Sequence, residues 1–146
     1  MPGIKRFDHV CITAAELEKM IQFFVALGFE IEGRTFVEGE FIDTVIGIPN
    51  SHTEIVMLRL PDGGTALELS RFIRPPHVPG TPNAPANELG LRNIGFEVDG
   101  LGEILKPLRS EGYTLVGDVG EYQNFWRMAH VRGPEGVIVS LAERIG

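Results

Sequence analysis

The stretch Ile4-Lys5-Arg6-Phe7-Asp8-His9-Val10-Cys11-Ile12-Thr13 decides the reading of this chain. It has the pattern of a strand, in which successive side chains face opposite sides of a sheet. On that period Arg6, Asp8, Val10 and Ile12 share one face, while Phe7, His9, Cys11 and Thr13 share the other. One face carries aliphatic residues fit for burial. The other carries an imidazole and a thiol, groups able to hold a ligand. A related pattern runs through 91–98, Leu-Arg-Asn-Ile-Gly-Phe-Glu-Val. There Ile94, Phe96 and Val98 form the apolar face, and Asn93 stands where His9 stands in the first stretch.

Outward from the first strand, Leu17, Met20, Ile21, Phe24 and Leu27 fall at helical spacing, which predicts a helix over 14–27. Thr13 and Glu16 are spaced as a capping box, and Gly28 is a helix stop. The helix is expected to bury its apolar stripe on the Val10/Ile12 face. Residues 29–37 read as a strand, 38–51 as a longer connection with a short helical turn, and 52–60 as a strand. Pro61-Asp62-Gly63-Gly64 reads as a turn, followed by a strand over 65–72. Five prolines between 73 and 88 (Pro75, Pro76, Pro79, Pro82, Pro85) forbid a central strand there and predict an extended linker. Beyond it come a strand over 89–98 and a helix over 100–112, which Pro107 is expected to kink or shorten. Three strands follow over 113–119, 124–132 and 137–143.

At 146 residues the chain suits one domain built of two small modules, and it is long enough to bury a core without disulfides or metals as staples. A net charge of −7 with no Lys/Arg cluster argues against nucleic acid as a partner. One cysteine, Cys11, cannot form an internal disulfide. No apolar run approaches membrane-spanning length, and the first residues lack an apolar signal core. A cytoplasmic protein with no membrane partner is expected.

Both halves read strand, helix, then three strands, which is a divergent internal repeat. Residues 7–13 align with 91–97, and 64–70 align with 136–142. His9 to Glu68 is 59 positions (68 − 9) and Asn93 to Ser140 is 47 (140 − 93). The difference of 12 fits the longer 38–51 connection. Phe7-Asp8-His9-Val10, the helix end Phe23-Phe24-Val25-Ala26-Leu27-Gly28-Phe29-Glu30, Gly64-Thr65-Ala66-Leu67-Glu68-Leu69, Asn93-Ile94-Gly95-Phe96-Glu97-Val98-Asp99-Gly100 and Gly133-Pro134-Glu135-Gly136-Val137-Ile138-Val139-Ser140-Leu141 occur in an order and spacing that resembles the vicinal oxygen chelate superfamily. That superfamily includes glyoxalase I, methylmalonyl-CoA epimerase, extradiol dioxygenases and the bleomycin and fosfomycin resistance proteins.

The resemblance implies an α+β fold of two βαβββ modules, about 4–72 and 89–146, joined by the 73–88 linker within a single domain. It also implies a cup-like mixed sheet with helices outside and the site inside. In metal-binding members the first and last strands of each module each supply a ligand. His9 and Glu68 match two of those positions; Asn93 and Ser140 stand at the other two, where a histidine or glutamate is expected. The implied cofactor is a divalent metal (zinc, iron, nickel or manganese), or none, because an amide and a hydroxyl complete the set poorly. Glu97 or Glu121 would be the substitute third ligand.

Two functions follow. One is a glyoxalase-like lyase, isomerase or dioxygenase, with His9 and Glu68 as metal anchors or as acid and base. The other is a metal-free protein that sequesters an aromatic or hydrophobic small molecule. In either case Phe7, Cys11, Phe72, Leu91, Asn93, Glu97, Tyr122, Trp126 and Ser140 are the candidate ligand-contact residues, and a homodimer is expected. His52, His77 and His130 are read as surface or linker residues.

Overall fold

The structure, a computed structural model, describes residues 1–146. The chain divides into two compact units, Met1–Pro79 and Gly80–Gly146. Each is described by itself.

The first unit begins its regular structure at β1 (His9–Thr13), five residues shorter than the sequence pattern suggests. Helix α1 (Leu17–Ala26) follows, then β2 (Glu30–Glu38), α2 (Glu40–Ile46), β3 (His52–Leu60) and β4 (Gly63–Arg74). The strands lie in the order β1-β4-β3-β2, with β1 parallel to β4 and the other pairs antiparallel. Leu17, Met20, Ile21, Phe23 and Phe24 of α1 are buried, as the helical spacing requires. Phe24 stacks edge-on against both Phe23 and Phe29, with centroids 5.2 and 5.6 Å away. Burying each such side chain contributes about 1.5–3 kcal/mol. Val56, Leu58, Leu67 and Leu69 complete this core from β3 and β4.

The expected Thr13/Glu16 capping box does not form. Thr13 still belongs to β1, opposite Ser70, and Ala14 N–H donates to the Ser70 carbonyl at 2.8 Å. The helix therefore starts three residues later, with Glu16 at the N-cap and no side-chain bond to the first turn. Gly28 does stop the helix, at a φ of 109° that favours glycine.

The second unit holds β5 (Ile94–Val98), α3 (Leu101–Ser110), β6 (Thr114–Leu115), β7 (Gly120–Tyr122), β8 (Trp126–Arg132) and β9 (Ile138–Arg144). The order is β5-β9-β8-β6, with β7 also pairing β8. Three expectations change here. The strand expected over 89–98 spans only Ile94–Val98. The strand expected over 113–119 shrinks to two residues, and β7, which the sequence pattern did not suggest, pairs with the Trp126 end of β8. Helix α3 runs uninterrupted through Pro107. Its N-terminus is capped from the sheet, because the Glu143 carboxylate of β9 accepts from Gly100 N–H at 2.7 Å and Leu101 N–H at 3.3 Å. Leu101, Leu105 and Leu108 turn inward beside Val131, Val139 and Leu141 in this unit's core.

Candidate functional site

Strand register builds the site in the first unit. β1 and β4 pair His9 with Ala66, Cys11 with Glu68 and Thr13 with Ser70. β3 brings Met57 opposite Glu68 and Ile55 opposite Ser70. Paired residues point to the same side of a sheet, so His9, Cys11, Thr13, Glu68, Ser70, Ile55 and Met57 share one face. The other face, with Leu67, Leu69, Val56 and Leu58, is the buried core. Alternation thus separates a packing face from a face that offers polar groups among apolar ones.

On that face His9 Nε2 lies 3.1 Å from Glu68 Oε2, with side chains 41% and 18% exposed. His9 Nδ1 lies 2.8 Å from Asp8 Oδ2. The imidazole is therefore held between two carboxylates, one at each ring nitrogen. A carboxylate only accepts, so the ring donates: a neutral imidazole to one partner, an imidazolium to both. Asp8 escapes the alternation because it lies ahead of β1, and its side chain is free to turn toward His9. The bond from His9 holds the Asp8 carboxyl below the usual carboxylate range. Cys11 is solvent-exposed by area, yet surrounding protein desolvates its thiolate and the Glu68 charge opposes ionisation. Together they push the thiol up to about 11. At neutral pH this environment favours the thiol over the nucleophilic thiolate.

The other candidates fall as follows. Phe72 is half-buried on β4, and Phe7 is exposed ahead of β1. In the second unit Ser140 is buried on β9, opposite Gly95 and His130. Glu97 is exposed on the same face, opposite Ala142, and Asn93 is exposed just before β5. Trp126 pairs with Tyr122, and Arg144 sits over its ring at 5.8 Å. Phe7, Leu91 and Tyr122 are 67%, 76% and 62% exposed. Glu121 is corrected as a metal-ligand candidate. It faces the side opposite Ser140, opposite Arg127, whose guanidinium donates to it at 2.9 and 3.0 Å.

His130, read from the sequence as a surface or linker residue, lies within β8. It is half-buried, lies on the Ser140/Gly95 face and lines a cavity of about 270 Å³ with Val116, Gly117, Asp118, Gly120, Met128 and Ala129. The signal was its even spacing from Trp126 and Met128, which fixes its face once β8 is recognised.

The His9–Glu68 spacing suits two neighbouring ligands of one cation, which lie about 3 Å apart around a small divalent ion. The rest of a metal site is missing. No group of three His, Cys, Asp or Glu residues is arranged to hold a metal ion. Asp8, His9 and Glu68 stand in line, with the ring between the acids, and do not converge on a point. The residues at the counterpart positions, Asn93 and Ser140, are neutral. Within the first unit His9 and Glu68 supply two donors at 3.1 Å, where a catalytic divalent metal ordinarily takes at least three protein ligands.

A sequence profile described as the glyoxalase/bleomycin resistance protein/dioxygenase superfamily matches residues 6–141. The chain belongs to this superfamily. A glyoxalase family protein from Bacillus cereus is 39% identical, with 99% of this chain and 97% of that one covered and a TM-score of 0.95. More distant superfamily-like structures share the fold alone. A maize glyoxalase I mutant is 14% identical over 96% of this chain and 47% of that one, with a TM-score of 0.66. An antibiotic binding protein from Streptomyces is 16% identical over 99% of each chain, with a TM-score of 0.60. No functionally curated protein matches the sequence.

Proposed function

We propose that this superfamily member binds a small organic molecule without a resident metal, using the His9–Glu68 face of the first unit as its anchor. The carrying observation is the donor set: a His–Glu pair 3.1 Å apart that no third ligand completes. Polar groups set among apolar side chains are the common form of a small-molecule site. Here Ile55, Met57 and Phe72 are the apolar component, and His9 and Glu68 fix orientation. The preferred ligand is planar or aromatic and carries a hydrogen-bonding group. The Streptomyces neighbour, named for antibiotic binding, is consistent with a sequestering role on this fold. The reading includes a cytoplasmic homodimer, which size-exclusion chromatography with light scattering tests.

A second reading has one observation in its favour. Asp8, His9 and Glu68 form a line of hydrogen-bonding groups suited to moving a proton, as in an acid–base isomerase or lyase. Elemental analysis of protein purified without chelator or metal-affinity tag comes first. Less than a tenth of an equivalent of divalent metal, before and after soaking in zinc, nickel, manganese and ferrous iron, is the expected result. A stoichiometric metal lost in His9→Ala would overturn the proposal. A thermal-shift screen of aromatic compounds, dicarbonyl adducts and acyl-CoA esters, followed by product analysis on each hit, then separates binding from turnover.

A further inference from the structure

Asp8 has no place in the ligand set that the fold implies, and on strand alternation it belongs to the wrong face. Yet it makes the shorter of the two contacts to the His9 ring, 2.8 Å at Nδ1 against 3.1 Å at Nε2. Its other oxygen, Oδ1, lies 4.0 Å from Arg6 Nε, a solvent-exposed approach beyond hydrogen-bond distance. The torsion that turns an imidazole about its Cβ–Cγ bond is broad and roughly two-fold, and strand packing alone does not choose between the two ring orientations. A partner at Nδ1 does choose. It sets the ring plane, selects which nitrogen carries the proton and leaves the other for work.

We propose that Asp8 is a positioning residue. It accepts the Nδ1–H of His9 and so turns Nε2 toward Glu68, as the nitrogen offered to a bound molecule. This rests on the reading of the His9–Glu68 face as the ligand site, but its structural half stands without any ligand. Asp8 acts through His9 and touches no ligand itself. Substituting it leaves both site residues in place while removing the acceptor that keeps a proton on Nδ1, so that Glu68 alone draws the proton, to Nε2.

The test is long-range proton–nitrogen correlation NMR of the His9 ring, in the free protein labelled with nitrogen-15 and assigned with His9→Gln. In the wild type a proton is expected on Nδ1, either alone or together with one on Nε2. A ring protonated only at Nε2 overturns the proposal. In Asp8→Ala the ratio of Nδ1-protonated to Nε2-protonated neutral ring should fall about fivefold, the scale of one net hydrogen bond. Asp8→Asn, whose amide oxygen still accepts from Nδ1–H, should restore it. An unchanged tautomer in Asp8→Ala overturns the proposal as well. Should Asp8→Ala fail to fold, the wild-type spectrum and Asp8→Asn still decide. Because no ligand enters the measurement, its outcome is independent of whether the binding reading survives.

Discussion

Arg132 Nη2 donates to the Ala84 carbonyl at 2.8 Å, tying strand β8 to a residue 48 positions earlier, just inside the second unit. The same guanidinium donates through Nη1 to the carbonyls of Pro82 at 3.3 Å and Gly136 at 3.4 Å. Residues 82–84 of the proline-rich stretch are thus fastened within the second unit by the backbone carbonyls of Pro82 and Ala84. Ala84 is buried as a result. Gly136 sits under the strap at a φ of 85°, and a Cβ there would collide with the Pro82 carbonyl. Gly136→Ala is expected to cost about 2 kcal/mol or more, from left-handed strain together with displaced backbone. Arg132→Ala is expected to cost about 1–2 kcal/mol. Urea unfolding measures both. A Gly136→Ala protein as stable as the wild type contradicts the close approach.

The cap on α3 makes a second prediction. Gly100 has no side chain with which to cap the helix, so Glu143 does it from β9, while Arg127 Nη1 lies 3.6 Å from the same carboxylate. Glu143→Ala should lower stability by about 1–2 kcal/mol, as the loss of a helix cap does. Glu143→Gln, which keeps an accepting oxygen, should recover part of it. Thermal unfolding of the two variants checks the order.

These devices mark where the sequence was legible and where it was not. The alternation in 9–13 and 66–72 was enough to bring His9 and Glu68 to one face, because a two-residue period leaves no freedom once both strands exist. The repeat then identified Asn93 and Ser140 as their counterparts. Asp8 was misread because alternation was extended past the true start of β1, into chain free to turn its side chain back. The capping box failed because β1 continues through Thr13, whose backbone is committed to pairing with β4. β7 has only three residues, too few to carry a periodic signal, and it exists through pairing with β8. Pro107 did not break α3, since tertiary packing of Leu101, Leu105 and Leu108 outweighs one lost backbone bond.

Acid stability supplies a third prediction. Asp43 accepts from the backbone N–H groups of Asn50 and Ser51, each at 2.9 Å, and from the Ser51 hydroxyl. These bonds, the Ser51 hydroxyl first, hold the Asp43 carboxyl below its ordinary value. A depressed folded-state pKa means the contribution is fully present above the unfolded value, near pH 4, and is lost as pH falls through the folded one. Asp43→Asn should lower the melting temperature at neutral pH and flatten its fall below about pH 4. Parallel acid limbs in the two proteins contradict the assignment.

Cys11 gives a fourth. With its thiol pushed up to about 11, roughly one molecule in a thousand carries a thiolate at pH 8. Reaction with a disulfide reagent at that pH should run about a hundredfold slower than with a free thiol and should accelerate about tenfold per pH unit up to pH 10. Reactivity matching that of a free thiol would show an unperturbed cysteine and contradict the desolvated environment.

The central claim is that a small molecule binds the His9–Glu68 face of the first unit. Its most direct test is a protein-observed NMR titration with a panel of planar aromatic fragments, each carrying one hydrogen-bonding group, in wild type and Glu68→Gln. The expected result is a set of fragments that shift resonances of His9, Cys11, Glu68, Met57 and Ser70, and that bind Glu68→Gln at least tenfold more weakly. Fragments that shift only residues elsewhere, or that bind Glu68→Gln as tightly as wild type, would contradict it.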